Sequence, residues 1–286
     1  MRTRDTTILF LTRPWAIIVV LMLQTMLCLL GCNEMESSQT EPVNKRDVTV
    51  TIIYDNNPGR KGLTPAWGFA CLVRGPDKTV LFDTGGDGRT LLKNMRQLNI
   101  NPREIDAVVL SHIHGDVTGG ILRLLRIRPN IPVYIPTGFP PAFKKQLQSL
   151  SSGLIEAKKS ETICRGVRTT GTLGEGAVEE QGLCVNTRKG WALITGCAHP
   201  GVANITATAK KMTNSPIYFV MGGFHMGWQS EAKINAVIDR LQELGVREVA
   251  PSHCSGGSAR KLFKERFEAR CVLAGVGSAF PFGAKK

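Results

Sequence analysis

The chain has five histidines, and every one follows a short apolar run. His112 and His114 share a turn with Asp116 in Ser111-His112-Ile113-His114-Gly115-Asp116, directly after the apolar stretch 106–110. His199 lies in Gly196-Cys197-Ala198-His199-Pro200-Gly201 after 191–195, and His225 closes Gly222-Gly223-Phe224-His225 after 216–221. His253 sits in Pro251-Ser252-His253-Cys254 after 247–250. One histidine alone reads as surface or satisfied core. Five of five in strand-end loops, most within two residues of a glycine, read as a site carried on a rigid sheet. His-x-His-x-Asp puts two imidazoles and a carboxylate on one tight turn. Neutral imidazole nitrogen is a standard zinc ligand at about 2.0–2.1 Å, and a carboxylate completes such a set. Bound zinc lowers the pKa of its water to about 7, which supplies hydroxide at neutral pH without a side-chain nucleophile. Neither a Gly-x-Ser-x-Gly elbow nor a phosphate-cradling loop competes with this cluster.

The elements that must carry these loops are legible as alternating strands and helices. Val48, Val50 and Ile52 alternate with threonines, the pattern of a half-buried strand. Residues 69–73 and 79–82 read as a hairpin around Gly75-Pro76-Asp77. Residues 88–98 form a predicted helix with Leu91, Leu92, Met95 and Leu98 on one face, and Gly119-Gly120 opens another with Leu122, Leu124, Leu125 and Ile127. Further strands are expected at 132–135, 163–169, 182–187, 191–195, 216–221 and 247–250. Helices are expected at 200–212, 229–244 and 257–269, before a closing strand over Cys271 to Leu273. Pro140-Pro141 and Gly171 to Gly176 mark loops. Strands in the middle with helices alternating at each end imply an α/β architecture of two sheets between helices.

With 286 residues, 42% hydrophobic and 21% charged, the chain can bury a core without relying on disulfides, and disorder is excluded. Arg2, Arg4 and Arg13 precede an apolar stretch from Trp15 to Leu30, followed by Gly31-Cys32 and a polar run to Asn44. That is the order of a secretory signal. Its Leu-Leu-Gly-Cys ending resembles a bacterial lipobox, in which Cys32 is lipidated. The expected organisation is a lipoprotein-type signal peptide at 1–31, a polar linker at 32–45 and one domain over 46–286. A spanning helix is disfavoured, because about 16 apolar residues fall short of the roughly 20 that cross a bilayer.

Removal of the signal takes Arg2, Arg4, Arg13 and Asp5, a net +2, so the formal charge of +13 falls to +11. The remaining basic residues come in scattered pairs such as Lys144-Lys145 and Lys210-Lys211, a solvated surface and not a nucleic-acid stripe. The expected partners are therefore a small-molecule substrate and, through the lipid anchor, a membrane; nucleic acid is not expected. The expected location is the cell envelope, outside the cytoplasm. Cys71, Cys164, Cys184, Cys197, Cys254 and Cys271 lie mostly in apolar strand patterns and read as buried free thiols. Without a Cys-x-x-Cys pair, a cysteine-built zinc site is not expected.

Several stretches together resemble the metallo-β-lactamase superfamily, closest to its dihydropterin-ribofuranosylaminobenzene-phosphate synthase-related group. They are Tyr54-Asp55-Asn56-Asn57, Trp67-Gly68-Phe69, Leu81-Phe82-Asp83-Thr84-Gly85-Gly86, the run from Ser111 to Gly120, Glu180-Gln181, Gly196 to Gly201, Gly222 to Met226 and Ser252 to Gly256. The resemblance implies a four-layer αββα sandwich with metals at one edge between the sheets. It implies His112, His114 and His199 as ligands of a first metal, and Asp116 and His253 as ligands of a second. His225 falls where the superfamily generally has a bridging aspartate, and Asp83 falls where an aspartate supports the metal loop without ligating. Asp116 is also the expected catalytic residue, orienting or deprotonating the water. The family motif reads His-x-His-x-Asp-His-x-Gly-Gly, whereas here Val117 stands in place of the last histidine. One zinc at the intact first site is expected, with a second only at a weakened one. The leading expectation is an envelope-anchored hydrolase of an ester or phosphoester. The alternatives are a phosphoribosyl-transferring synthase, or a non-catalytic metal-binding module whose second site has degenerated.

Overall fold

The computed structural model describes residues 48–75, 77–174 and 178–282. The expected signal peptide, the linker and Cys32 lie outside the described residues. No helix among the described residues is long and apolar enough to cross a membrane.

The first sheet is built from β1 (Thr49–Asp55), β2 (Phe69–Arg74), β3 (Thr79–Phe82), β4 (Ala107–Val109), β5 (Pro132–Ile135), β6 (Gly153–Glu156) and, last in sequence, β13 (Ala279–Pro281). The second holds β7 (Thr162–Cys164), β8 (Val167–Thr169), β9 (Leu183–Thr187), β10 (Gly190–Thr195), β11 (Ile217–Gly223) and β12 (Glu248–Ser252). Strand orders are β13-β1-β2-β3-β4-β5-β6 and β12-β11-β10-β9-β8-β7. Among the described residues seven α-helices accompany them: α1 (Gly88–Gln97), α2 (Gly115–Thr118), α3 (Ile121–Ile127), α4 (Pro141–Gln148), α5 (Val202–Thr213), α6 (Glu231–Glu243) and α7 (Gly257–Phe267).

Side-chain alternation along the strands produces four layers. On β2, Phe69, Cys71 and Val73 face the core between the sheets, where they meet Val185, Ile194, Phe219 and Met221 from the second sheet. Ala70 and Leu72 face the other way, packing with Leu91, Met95, Leu124 and Leu125 of α1 and α3. The second sheet repeats this, with Leu193, Val220 and Val249 against Ile205, Ile238, Phe263 and Phe267 of α5, α6 and α7. Strands buried on both faces read as continuous apolar runs, and each fully buried large side chain contributes roughly 1.5–3 kcal/mol. The αββα sandwich implied by the sequence is the observed architecture.

A bulge in β1 aims one residue of the site. Ile52 pairs with Cys71 and Tyr54 with Ala70, leaving Ile53 as the extra residue. Ile53 and Tyr54 consequently both face the outer core, while Ile52 faces the inner one. Asp55, the next residue, is fully buried and turns toward the strand-end loops.

Several elements differ from the sequence-based expectation. The strand expected at 163–169 is a hairpin, β7 and β8, turning at Gly166 with φ 75°, a conformation natural to glycine. Pro140-Pro141 leads into α4 and is not merely a loop, since proline at the first helical position gives up only an unpaired N–H. The closing strand expected at Cys271 to Leu273 is only an isolated bridge between Val249 and Cys271. The last strand among the described residues is instead β13, paired antiparallel with β1.

Candidate metal centre

Strands β3 and β4 run parallel, as do β10, β11 and β12. Their carboxyl ends open into the loops bearing Asp83, His112 to Asp116, Cys197 to His199, His225, and His253 with Cys254. Four non-glycine residues of these loops have left-handed backbone: Asp83 at φ 59°, Ala198 at 64°, His225 at 51° and His253 at 43°. Such conformations cost on the order of 1–3 kcal/mol each and persist where surrounding structure imposes them. Gly196 is required by close approach, because a Cβ there would collide with Ser111 Oγ and Asp83 Oδ2.

The structure brings His112, His114 and His199 together. Ring centroids lie 4.8 Å apart for His112–His114, 4.5 Å for His112–His199 and 4.9 Å for His114–His199. His225 approaches His199 at 4.5 Å. Asp116 spans the gap to His253, with Oδ1 4.0 Å from His112 Nε2 and Oδ2 3.3 Å from His253 Nε2, an ion-pair distance without hydrogen-bond geometry. His112 is wholly buried at the floor and His114 is exposed at the rim.

Each ring on the floor is held at one nitrogen. Ser111 Oγ lies 2.8 Å from His112 Nδ1, Glu180 Oε2 lies 2.8 Å from His199 Nδ1, and Asn56 Oδ1 lies 2.8 Å from His253 Nδ1. The opposite atoms, His112 Nε2 and His253 Nε2, are buried without a hydrogen-bond partner, as are Asp116 Oδ1 and His225 Nδ1. Buried polar atoms nearly always have partners. His112, His114 and Asp116 offer ligand atoms within 4.8 Å of one another, and with the His199 ring beside them the residues fit a divalent metal such as zinc.

Electrostatics favour the ligating forms of His112 and Asp116. Burial holds the His112 imidazole at about 4, well below its ordinary 6.5, so it is neutral at physiological pH. Burial pushes the Asp116 carboxyl up, but His253, His112 and His114 outweigh it and hold it at about 2. Glu180 is likewise pushed up by burial, yet its contacts to His199, His112 and the backbone hold it at about 2. His253 is pushed down by burial and raised on balance by Asp116 and other neighbouring acids. Asp83 accepts from Ser111 N at 2.7 Å, behind the turn that carries His112, and burial pushes its carboxyl well up. Val117 is fully buried in the core between the sheets and offers no donor atom.

Sequence reasoning did not single out Glu180, Asn56, Cys197 or Cys254 as site residues. Glu180 accepts the backbone N–H groups of Cys197, Ala198 and His199 as well as the His199 ring. It comes from the loop before β9, and only its place in a resembling Glu-Gln pair signals it. Cys197 offers a ligand atom within 4.8 Å of those of His112 and His199, and also of those of His225 and Cys254. The six cysteines among the described residues are free thiols, five of them buried and Cys164 partly so. The Cys197 thiol and His225 hold the Cys254 thiol below its ordinary range against the effect of burial.

A cleft of about 720 Å³ adjoins the cluster, lined among others by Asn56, Trp67, Trp228, His253, Arg260 and Lys261. Trp67 and Trp228 are 55% and 76% exposed, unusual for large aromatics. Their rings lie 5.0 Å from His253 and 5.9 Å from His225 respectively.

Residues 67–203 match the model of the metallo-beta-lactamase superfamily. A Methanocaldococcus jannaschii protein named 7,8-dihydropterin-6-methyl-4-(beta-D-ribofuranosyl)-aminobenzene-5'-phosphate synthase is 29% identical over 238 residues, covering 68% of this chain and 81% of its own. Among solved structures, Tm1679, a metal-dependent hydrolase of the beta-lactamase superfamily, is 27% identical with a TM-score of 0.68, over 82% of this chain and 98% of that one. A diphosphatase from the PhnP family has a TM-score of 0.58 at 15% identity, over 82% and 97% of the two chains, a likeness of fold alone.

Proposed function

Because this chain belongs to the metallo-β-lactamase superfamily, we propose that it is a metal-dependent hydrolase of an ester or phosphoester substrate. The observation that carries this reading is the three-imidazole cluster of His112, His114 and His199 beside Asp116, which lies 3.3 Å from His253 in the lining of an open cleft. A zinc ion there would act as a Lewis acid and lower the pKa of a water to about 7. His112 and His199 present their free nitrogens because Ser111 and Glu180 occupy the opposite ones. Asp116 is a carboxylate held at about 2, too weak a base to store a proton at neutral pH. Its part is to orient a water through Oδ1, which lacks any other partner.

The cleft suits an anionic substrate with a planar group. Arg260, Lys261 and Lys264 face a single acid, Glu265, along its lining, and Trp67 and Trp228 offer aromatic faces beside the imidazoles. Arg260 is already committed to Asn57 Oδ1 and Ala274 O, so it supplies field and bracing more than a free hydrogen-bond fork. The similarity to the Methanocaldococcus jannaschii synthase supports a second reading, group transfer involving a phosphoribosyl compound in the same cleft. Anchoring at the cell envelope through Cys32 is part of the proposal and rests on the sequence of residues 1–45.

Metal-loaded full chain should be assayed against activated phosphodiesters, phosphomonoesters, thioesters and lactones beside a His112→Ala control. Turnover abolished by the substitution and by chelation is the expected result. No turnover above the control in any class would overturn the hydrolase reading.

A further inference from the structure

A second group of potential ligands lies against the three-histidine cluster, and it is built from sulfur. Cys197, His225 and Cys254 each offer one ligand atom, and the three atoms lie within 4.8 Å of one another. They come from the ends of three adjacent parallel strands, β10, β11 and β12, so the sheet itself sets their spacing. Cys197 and Cys254 are 3% and 4% exposed, and His225 Nδ1 is buried without a hydrogen-bond partner. Cys254 Sγ donates to the Cys197 carbonyl at 3.6 Å, within reach of the Cys197 thiol and the His225 ring. Gly223 makes the approach feasible, because a Cβ there would press on Cys254 Sγ at 2.7 Å and on Cys197 Cα at 3.1 Å.

We propose that Cys197, His225 and Cys254 form a soft-metal site of two thiolates and one imidazole, selective for zinc-like or softer cations. Two sulfurs and a nitrogen with a fourth position open is a familiar tetrahedral zinc set, and thiolates discriminate against hard ions such as manganese. The site needs no contribution from residue 117, where Val117 has no atom to give. The sequence concealed it, because no Cys-x-x-Cys is present and its two cysteines are 57 residues apart. Cys197 also lies within 4.8 Å of the ligand atoms of Asp116 and His253. A mixed site of those three is the competing arrangement.

Cobalt is the probe, since cobalt–thiolate bonds give an intense near-ultraviolet charge-transfer band. The full chain, stripped of metal and kept reduced, should be titrated with Co²⁺ alone. Wild type should develop the band, Cys254→Ser should lose about half of it, Cys197→Ser should lose half or more, and His112→Ala should retain it. In wild type, Cd²⁺ should also protect both Cys197 and Cys254 from alkylation, read by mass spectrometry, which keeps the test available if a variant misfolds. Absence of the band in cobalt-loaded wild type would overturn the proposal. So would a band indifferent to Cys254→Ser but removed by Asp116→Asn, which places Cys197 with Asp116 and His253. Neither result bears on hydrolysis at the three-histidine cluster.

Discussion

Glu180 Oε2 lies 2.8 Å from His199 Nδ1, and this contact decides which nitrogen of the ring remains for a cation. An ionised carboxylate only accepts, so Nδ1 carries the hydrogen and Nε2 keeps its lone pair. The same carboxylate takes the N–H groups of Cys197, Ala198 and His199, which fixes the loop that presents the ring. Glu180→Gln preserves shape and removes charge. It should weaken zinc at the three-histidine site by about 10–100-fold, the usual effect of losing such a partner. Competition against a calibrated chelator measures this, and unaltered affinity would reduce Glu180 to a brace for the loop.

His112 makes the metal-free protein sensitive to acid. Its imidazole titrates at about 4 when folded against an ordinary 6.5, because burial opposes the charged form. The unfolded chain therefore binds this proton first as the pH falls. The stability it contributes is full above 6.5 and is lost progressively down to about 4, on the order of 3 kcal/mol in all. His225 and His253 are shifted upward and act with the opposite sign, so the effect is read as a difference. Metal-free His112→Asn should show a flatter dependence of Tm on pH between 6.5 and 4 than wild type, by circular dichroism. Parallel curves would mean His112 protonates freely in the fold.

The histidines were legible because each follows an apolar strand, and the two sheets then bring the carboxyl ends of β4, β10, β11 and β12 to one edge. The layering was legible too, since residues 69–73 are apolar throughout and a strand buried on both faces must lie between two layers. What escaped depends on contacts remote in sequence. Asn56 reaches His253 across 197 residues and Glu180 reaches Ala198 across 18. Strands β6 and β13 are short, with little alternation, and are defined by their partners β5 and β1. The hairpin of β7 and β8 was masked because a single glycine turns it.

Trp228 projects from the rim at 76% exposure, with its ring 5.9 Å from His225. A side chain so exposed contributes little to the fold, so Trp228→Ala should change stability by no more than about 0.5 kcal/mol. Its worth should appear in substrate binding. Aromatic contacts contribute about 0.5–1.5 kcal/mol beyond buried area, so KM for an aryl phosphodiester should rise about 2- to 10-fold with kcat nearly unchanged. An equal effect on a methyl phosphodiester would show that the ring does not stack on the substrate.

Val117 is clamped where the resembled motif has an imidazole. Its carbonyl accepts from both Thr84 N and Thr84 Oγ1 at 2.8 Å, and its side chain is fully buried between the sheets. Asp116, the preceding residue, already faces His253. Val117→His should add a nitrogen donor to that pair without moving the backbone. An imidazole left unpaired in this core would cost about 1–3 kcal/mol, so the metal-free variant should melt below wild type. Manganese is the informative ion, because carboxylate and imidazole accept it and thiolates do not. Manganese bound by the variant should rise by about one ion per chain, and manganese should recover the lost Tm in the variant alone. If the variant folds yet gains neither manganese nor Tm, Asp116 and His253 do not frame a second metal position, and Val117 is a core residue with no vacated role.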